Sequence, residues 1–343
     1  MWHGHCPGSA PAPGATRRAP RRILHAADGS IDFAGKTGRI NDEGVIDGTR
    51  GGRAPRAFSL VEILVAVSLL SLIVLVLMAV FSSTQRAFRA SVTQTDVLEG
   101  GRAAVDLIAQ DLKLLTPSDN VTNGPVNFFE RDNNTYVTSY LPLVQPLPGS
   151  IGTERTNLLN YFFLLGRQNT KWIGIGYVVD ATNSLTLYPL YRFYAETNLA
   201  TSPLILFNNF NNTINNGQWT NLSHLVDGVV HLVVRADDPN GYQLTNTYQY
   251  HAGQWVTNRN ILFIPPFVYS GVLSEAGFNF YSNAVPASVE LQVGMLEDRV
   301  LQRASSLPFN STAQINYLQQ QAGHVHIFRQ QVTIPNLDPT AYQ

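Results

Sequence analysis

The stretch Arg56-Ala57-Phe58-Ser59-Leu60-Val61-Glu62 opens an apolar run from Ile63 to Phe81 whose only polar residues are Ser68 and Ser71. The 24 residues from Phe58 to Phe81, at about 1.5 Å rise per residue, reach across the roughly 30 Å hydrocarbon core of a bilayer. The segment reads as a membrane helix. It carries one acid, Glu62, near its start. A carboxylate in hydrocarbon costs a few kcal/mol, so Glu62 is a functional candidate that calls for a partner.

The order of these residues resembles the cleavage and methylation site of type IV prepilins and type II secretion pseudopilins. The shared pattern is a basic residue, a small residue, Phe, Ser, Leu, an aliphatic, Glu and then a long apolar helix. In that family a prepilin peptidase cuts before the Phe and methylates the new amine, and the Glu at the fifth mature position contacts a neighbouring subunit. Carried over, the resemblance implies a processing site between Ala57 and Phe58 and an assembly contact at Glu62. The family usually has Gly before the cut, where this chain has Ala57. The physical case for Glu62 is a charge argument. A free amine and a carboxylate buried separately are each costly, and pairing them across packed helices offsets much of that cost. An ordinary signal anchor with one tolerated Glu is the plainer alternative.

Charge is distributed as an exported, anchored chain requires. Residues 1–57 hold nine Arg or Lys against five acids, a net of +4; the whole chain is −1, so the remainder is −5. Positive charge before the span and its depletion after it fit a cytoplasmic first segment and an exported body; the resemblance implies a single-pass inner-membrane protein with that body in the periplasm. The Gly, Pro, Ala and Arg bias from Pro7 to Arg22 has no hydrophobic period, so disorder is expected there. The single cysteine, Cys6, lies in this leader, leaving the body to rely on packing or a bound ion. Charged residues are 14% of the chain and no basic patch follows the leader, which argues against nucleic-acid binding.

After Phe81 the pattern turns amphipathic. Leu98, Val105, Ile108, Leu112 and Leu115 mark one helical face, while Arg86, Arg89, Arg102, Asp106, Asp111 and Lys113 supply the wet side. Thr116-Pro117 stops the helix, and Gly100-Gly101 marks a bend. Beyond Pro117 short β-rich runs follow: Leu158 to Leu165, Trp172 to Asp180, Ser184 to Tyr194, Leu225 to Arg235, Asn260 to Ile264, Ala287 to Leu296 and His324 to Ile334. Ala181-Thr182-Asn183 reads as a hairpin turn and Asn208 to Asn216 as a surface loop. Thr312 to Gln321 reads as a short helix capped by Ser311.

The run Leu225-Val226-Asp227-Gly228-Val229-Val230, the strand Ala287 to Val293, Gly176-Tyr177-Val178-Val179 followed by Tyr191-Arg192-Phe193, and a last strand through Phe328-Arg329 resemble the J-type minor pseudopilin. The C protein of a pilin-like cassette found in Verrucomicrobia is resembled equally. The resemblance implies a pilin-like α+β fold, a long N-terminal helix packed on an antiparallel β-rich domain. The expected divisions are a leader over 1–57, a membrane helix over 58–81, its amphipathic continuation over 82–116 and a globular domain over 117–343. The implied partners are the prepilin peptidase, other major and minor pilins or pseudopilins, and the membrane.

Other sites compete poorly. Asp237, Asp238 and Asn240 gather in one turn the oxygen donors that Ca²⁺ takes, without the EF-hand spacing or its closing Glu, so a plain turn is favoured. His324 and His326 alternate on a strand and share a face, a possible Zn²⁺ or Cu²⁺ pair with no third ligand nearby in sequence. Ser223-His224 supplies the letters of a hydrolase without a recognised arrangement, so no enzyme is expected and no cofactor assigned. Trp172, Trp219 and Trp255, with Tyr248, Tyr250 and Tyr269, suit either core or a partner surface. They support the second hypothesis, an uncleaved, signal-anchored domain that recognises a glycan or protein.

Overall fold

The computed structural model describes residues 58–119, 126–133, 142–147, 149, 152–182, 185–244, 248–251, 254–257, 260–266, 268–269, 272–342. Residues 1–57, the expected leader with Ala57 at its end, lie outside them. Two units divide the chain, Met1–Val65 and Ala66–Gln343. The first helix, α1, runs Leu60–Leu112. Its stretch Leu60–Phe88 is long and apolar enough to cross a membrane and has no buried part.

The body is antiparallel and β-rich, so the chain is α+β. In chain order its elements are β1 (Val126–Asp132), β2 (Leu143–Pro146), β3 (Glu154–Asn157), β4 (Asn160–Gln168), β5 (Lys171–Val179), β6 (Leu190–Asn198) and α2 (Leu204–Asn215). There follow β7 (Ser223–Val226), β8 (Val229–Asp237), β9 (Tyr248–His251), β10 (Gln254–Thr257), β11 (Ile261–Ile264), β12 (Val268–Tyr269), β13 (Val272–Leu273) and β14 (Gly277–Tyr281). The chain closes with β15 (Ser288–Leu296), α3 (Asp298–Ser305), α4 (Thr312–Gln319) and β16 (Val325–Thr333). Seven strands form one sheet in the order β11-β14-β1-β4-β5-β6-β7, and three form a second in the order β16-β15-β8.

The C-terminal half of α1 supplies the core that both sheets share. Val97, Ala104, Val105, Ile108, Ala109 and Leu112 join Phe128, Phe162, Ile175 and Tyr177 of the large sheet and Val289, Leu291, Val293 and Met295 of the small one. Leu98, expected on this face, is 42% exposed, and Val97 takes its place. Gly100-Gly101 neither ends nor interrupts the helix. A Cβ on Gly101 would meet the Phe328 ring at 2.3 Å and Met295 Sδ at 2.9 Å, so glycine lets the helix backbone reach the small sheet.

The segment Asn208 to Asn216, expected as a loop, is mostly helix. In α2 the apolar period outweighs the asparagines, since Leu206, Phe210, Thr213 and Ile214 are buried at steps of four, three and one. The β5 glycines make room for it: a Cβ on Gly176 would stand 2.2 Å from the Phe210 ring, and one on Gly174 2.8 Å from Leu206 Cβ. Their alternation in Trp172-Ile173-Gly174-Ile175-Gly176 was the available signal for a helix packed there.

Two turn expectations also change. β5 and β6 pair antiparallel as foreseen, but β6 begins at Leu190, so their connection is longer than Ala181-Thr182-Asn183. The expected single strand Leu225 to Arg235 is two, divided at Gly228, whose φ of +78° favours a residue without Cβ. β7 belongs to the large sheet and β8 to the small one. The short helix after Ser311 forms as expected, with Ser311 Oγ accepting from Gln314 N–H.

Candidate functional site

In the first unit, Ser59 and Glu62 close on each other. Glu62 N–H donates to Ser59 Oγ at 3.2 Å, and Glu62 Oε2 accepts from Ser59 N–H at 3.0 Å and Ser59 Oγ at 3.1 Å. Ile63 N–H donates to Ser59 O at 3.3 Å. This reciprocal arrangement is a capping box, in which an N-cap hydroxyl and the acid three residues on satisfy two otherwise unpaired helix donors. The spacing Ser59-Leu60-Val61-Glu62 carries the S-x-x-E signature, so this second employment of the acid was readable in the sequence. Phe58, two residues before α1, is 81% exposed. A positively charged group would find at Glu62 a carboxylate whose Oε1 takes no part in the box.

In the second unit the buried end of α1 is fixed by charge. Asp111, expected on the wet side, is 5% exposed. Its Oδ2 accepts from Arg192 Nε at 2.7 Å, its Oδ1 from Arg192 Nη2 at 3.0 Å, and its Oδ2 also from the Tyr177 hydroxyl. The guanidinium fork on a carboxylate is the strong, bidentate form of such a pair. Burial, and then the Asp111 charge, push the Tyr177 hydroxyl well above the usual phenol range, so it serves as a proton donor. This clamp joins α1 to β5 and β6.

The candidate calcium turn does not converge. Asp238 Oδ1 accepts backbone N–H bonds from Asn240 at 2.9 Å and Tyr242 at 2.8 Å, as an Asx turn does. Asp237 faces elsewhere, its Oδ2 accepting from Ser288 Oγ at 2.9 Å and Gln331 Nε2 at 3.1 Å. Adjacent side chains on extended backbone point to opposite sides, which separates the two carboxylates. Asp238 and Asn240 thus form a plain Asx turn, and Asp237 ties β8 to β15 and β16. Among the described residues no group of three or more His, Cys, Asp or Glu is placed to hold a metal.

His324 and His326 do find a shared neighbour. His324 lies in a 3-10 turn and His326 in β16, and their Nδ1 and Nε2 stand 3.0 Å and 3.1 Å from the two oxygens of Glu297. Burial works to raise the Glu297 carboxyl, but the bonds from His326 and His324 outweigh it and hold it below the usual range. The three residues bind together the ends of the α3–α4 excursion.

His224 Nε2 lies 2.7 Å from Asp227 Oδ1 on an exposed surface, with its ring edge-on to Tyr191. Trp219 is half-buried and stacks on Tyr191 at 5.5 Å. Trp172 is buried, with the Arg167 guanidinium 6.0 Å from its ring. The side chains of Trp255, Tyr248, Tyr250 and Tyr269 lie outside the described residues. Comparison of the chain with family models, with curated proteins and with solved structures returns no match.

Proposed function

We propose that this chain is a minor pilin-like or pseudopilin-like subunit, processed between Ala57 and Phe58 and assembled through α1 into a filament of the type II secretion or type IV pilus kind. The observation that carries the reading is the placement of Glu62 in the first turn of a helix whose span Leu60–Phe88 is wholly unburied. An apolar surface of that length needs lipid or other helices around it. The fold supports the reading in its coarser features, a long apolar N-terminal helix and an antiparallel β-rich domain.

The mechanism is assembly rather than turnover. The leader stays cytoplasmic and the body lies across the inner membrane. Prepilin peptidase hydrolyses the Ala57–Phe58 amide and methylates the freed amine. Glu62 then meets the amine of a neighbour, and the apolar helices bundle as the filament core. The J-like features suit a place at the filament tip beside other minor subunits.

The N-terminal mass of the membrane form tests the first step. A chain starting at methylated Phe58 is expected, and an intact leader in cells with active prepilin peptidase overturns the reading. For the second step, Glu62→Ala should leave the body folded and reduce incorporation into filaments. Unchanged incorporation removes the role given to Glu62.

A further inference from the structure

The small sheet ends on a strand paired along one side only, since its order is β16-β15-β8. β16 runs nine residues against β15 with no shift of register, from Ser288↔Thr333 to Leu296↔Val325. Two flanking bonds fix its parity: Ile334 N–H donates to Ala287 O at 3.0 Å and Glu297 N–H to His324 O at 3.0 Å. In an antiparallel ladder, opposite residues alternate between exchanging both backbone bonds and exchanging none. The even-numbered residues of β16 therefore bond β15, while Val325, Ile327, Arg329, Gln331 and Thr333 carry their N–H and C=O groups outward. Among the described residues no strand or loop takes these outward groups.

Open edges are ordinarily blunted by short length, proline, a bulge or a row of lysines. β16 has none of these, and Arg329 is its only Arg, Lys, Asp or Glu. The other edges contrast with it. β7 and β11, at the two sides of the large sheet, are four residues each, and β8 is partly covered because Leu232 N–H donates to Leu158 O at 2.9 Å.

We propose that the outer edge of β16 is a docking site for an extended strand of a different protein, one that sets a carboxylate opposite Arg329. Val325 is buried, so backbone bonds to Ile327, Arg329, Gln331 and Thr333 supply the attachment, and the side chains opposite them supply selectivity. Arg329 is exposed on this edge and decides between occupants. A second copy pairing β16 on β16 about its middle opposes Arg329 to Arg329, a like-charge pair that destabilises a ladder, whereas a carboxylate there makes a favourable cross-strand pair. The inference stands apart from the roles given to Ala57, Phe58 and Glu62.

The test uses the full chain in detergent micelles and residue-resolved amide hydrogen exchange. The probe is a synthetic ten-residue peptide of alternating Val and Thr with one central Glu. In the free chain the outward amides of Ile327, Arg329 and Gln331 should exchange roughly 100-fold faster than those of Phe328, Gln330 and Val332. The peptide should slow the outward set, and the same peptide N-methylated on alternate amides should not. Arg329→Glu should shift the preference about tenfold toward a peptide with central Lys. Gln331→Pro removes an outward N–H without touching a bond to β15 and should abolish protection; Gln331→Ala, which loses the same side chain, should keep it. Three results overturn the proposal: outward amides already protected in the dilute free chain, protection that grows with the chain's own concentration, or no protection by the Glu peptide.

Discussion

The two stretches of α1 on either side of its middle obey the same backbone geometry and face opposite solvents. From Ala66 to Phe88 large apolar side chains such as Ile73 and Leu75 are half or more exposed, whereas from Val97 to Leu112 the inward residues are sealed between two sheets. As far as Phe81 the first stretch is apolar all round apart from Ser68 and Ser71, and it has no stripe to orient it. The second is amphipathic, and its rotation is set by side chains: Gly101 against Phe328, and Asp111 under Arg192. The helix is thus held at one end by a specific core, while at the other it is long and apolar enough to cross a membrane and is not buried by any described residue.

The largest effect expected from this contrast is in truncation. Ile108 is fully buried and Ile73 is 53% exposed. Ile108→Ala should lower the stability of the full chain by about 4 kcal/mol, from lost burial and the cavity left behind. Ile73→Ala should leave it unchanged in urea unfolding followed in detergent micelles. Equal losses would mean that the exposed stretch is packed within the chain after all.

The clamp is next. Arg192→Met strands the buried Asp111 carboxylate and should cost about 3 kcal/mol, since a buried charge deprived of its partner is destabilising. The double variant Asp111→Leu with Arg192→Met should recover most of that loss. If it does, the pair fixes the rotation of α1 more than it stabilises the body. A double variant as unstable as the sum of the singles would show instead that the charge itself holds the helix down.

These residues also mark where the sequence was legible. The apolar run, the long helix and most β-rich stretches were readable because hydrophobic period survives any tertiary context. Ser311 and its helix were readable because a cap is local. Asp111 was misplaced because its neighbours Asp106 and Lys113 are truly exposed, and only the arrival of Arg192, 81 residues on, removes it from water. β1 is not among the strands read from the sequence, although it lies inside the large sheet between β14 and β4. Its Asn127, Glu130, Arg131 and Asp132 hide the strand pattern, and the burial of Asn127, Glu130 and Asp132 depends on remote partners such as the Ala284 carbonyl that Asn127 Nδ2 reaches at 2.8 Å. The capping box was present in the letters, but the charge of Glu62 drew attention to a distant partner before a local one.

Acid should separate the two stretches. His231 is buried on β8 of the small sheet, where its Nδ1 accepts the Leu158 N–H at 3.3 Å, and burial pushes the imidazole down to about 4 from its usual 6.5. The unfolded chain then binds the proton first, so the stability tied to neutral His231 is complete above pH 6.5 and is lost as pH falls toward 4. The loss should reach roughly 3 kcal/mol over that window. Glu130 acts in the opposite sense. Burial, then the charges of Glu275 and Asp132, raise its carboxyl well above 4.5, so its contribution is complete below that value and declines as pH rises. With Glu130→Gln removing the opposing contribution, unfolding midpoints in micelles should fall from pH 6.5 to pH 4, and adding His231→Gln should flatten that limb. Helix content of the span Leu60–Phe88 should not follow either limb, because neither group touches it. Loss of span helicity in step with the body would break the contrast between the two stretches.

The smallest effect concerns the start of α1. Ser59→Ala removes the hydroxyl that accepts Glu62 N–H and should fray the first turn, at a cost of about 1 kcal/mol. Global unfolding should not register it, because the first turn is remote in sequence from the buried stretch; amide exchange at Leu60 to Ile63 should quicken instead. The same change takes one of Glu62's two local donors, the Ser59 hydroxyl, and leaves the Ser59 backbone N–H and the charge of Glu62 in place. If the acid's chief task is to cap, Ser59→Ala and Glu62→Ala should quicken exchange alike and affect filament incorporation alike. If its chief task is to meet the amine of a neighbour, Ser59→Ala should retain incorporation and Glu62→Ala should lose it. Incorporation measured for the two variants side by side therefore separates a helix that needs only a well-formed end from one that needs a charge displayed there.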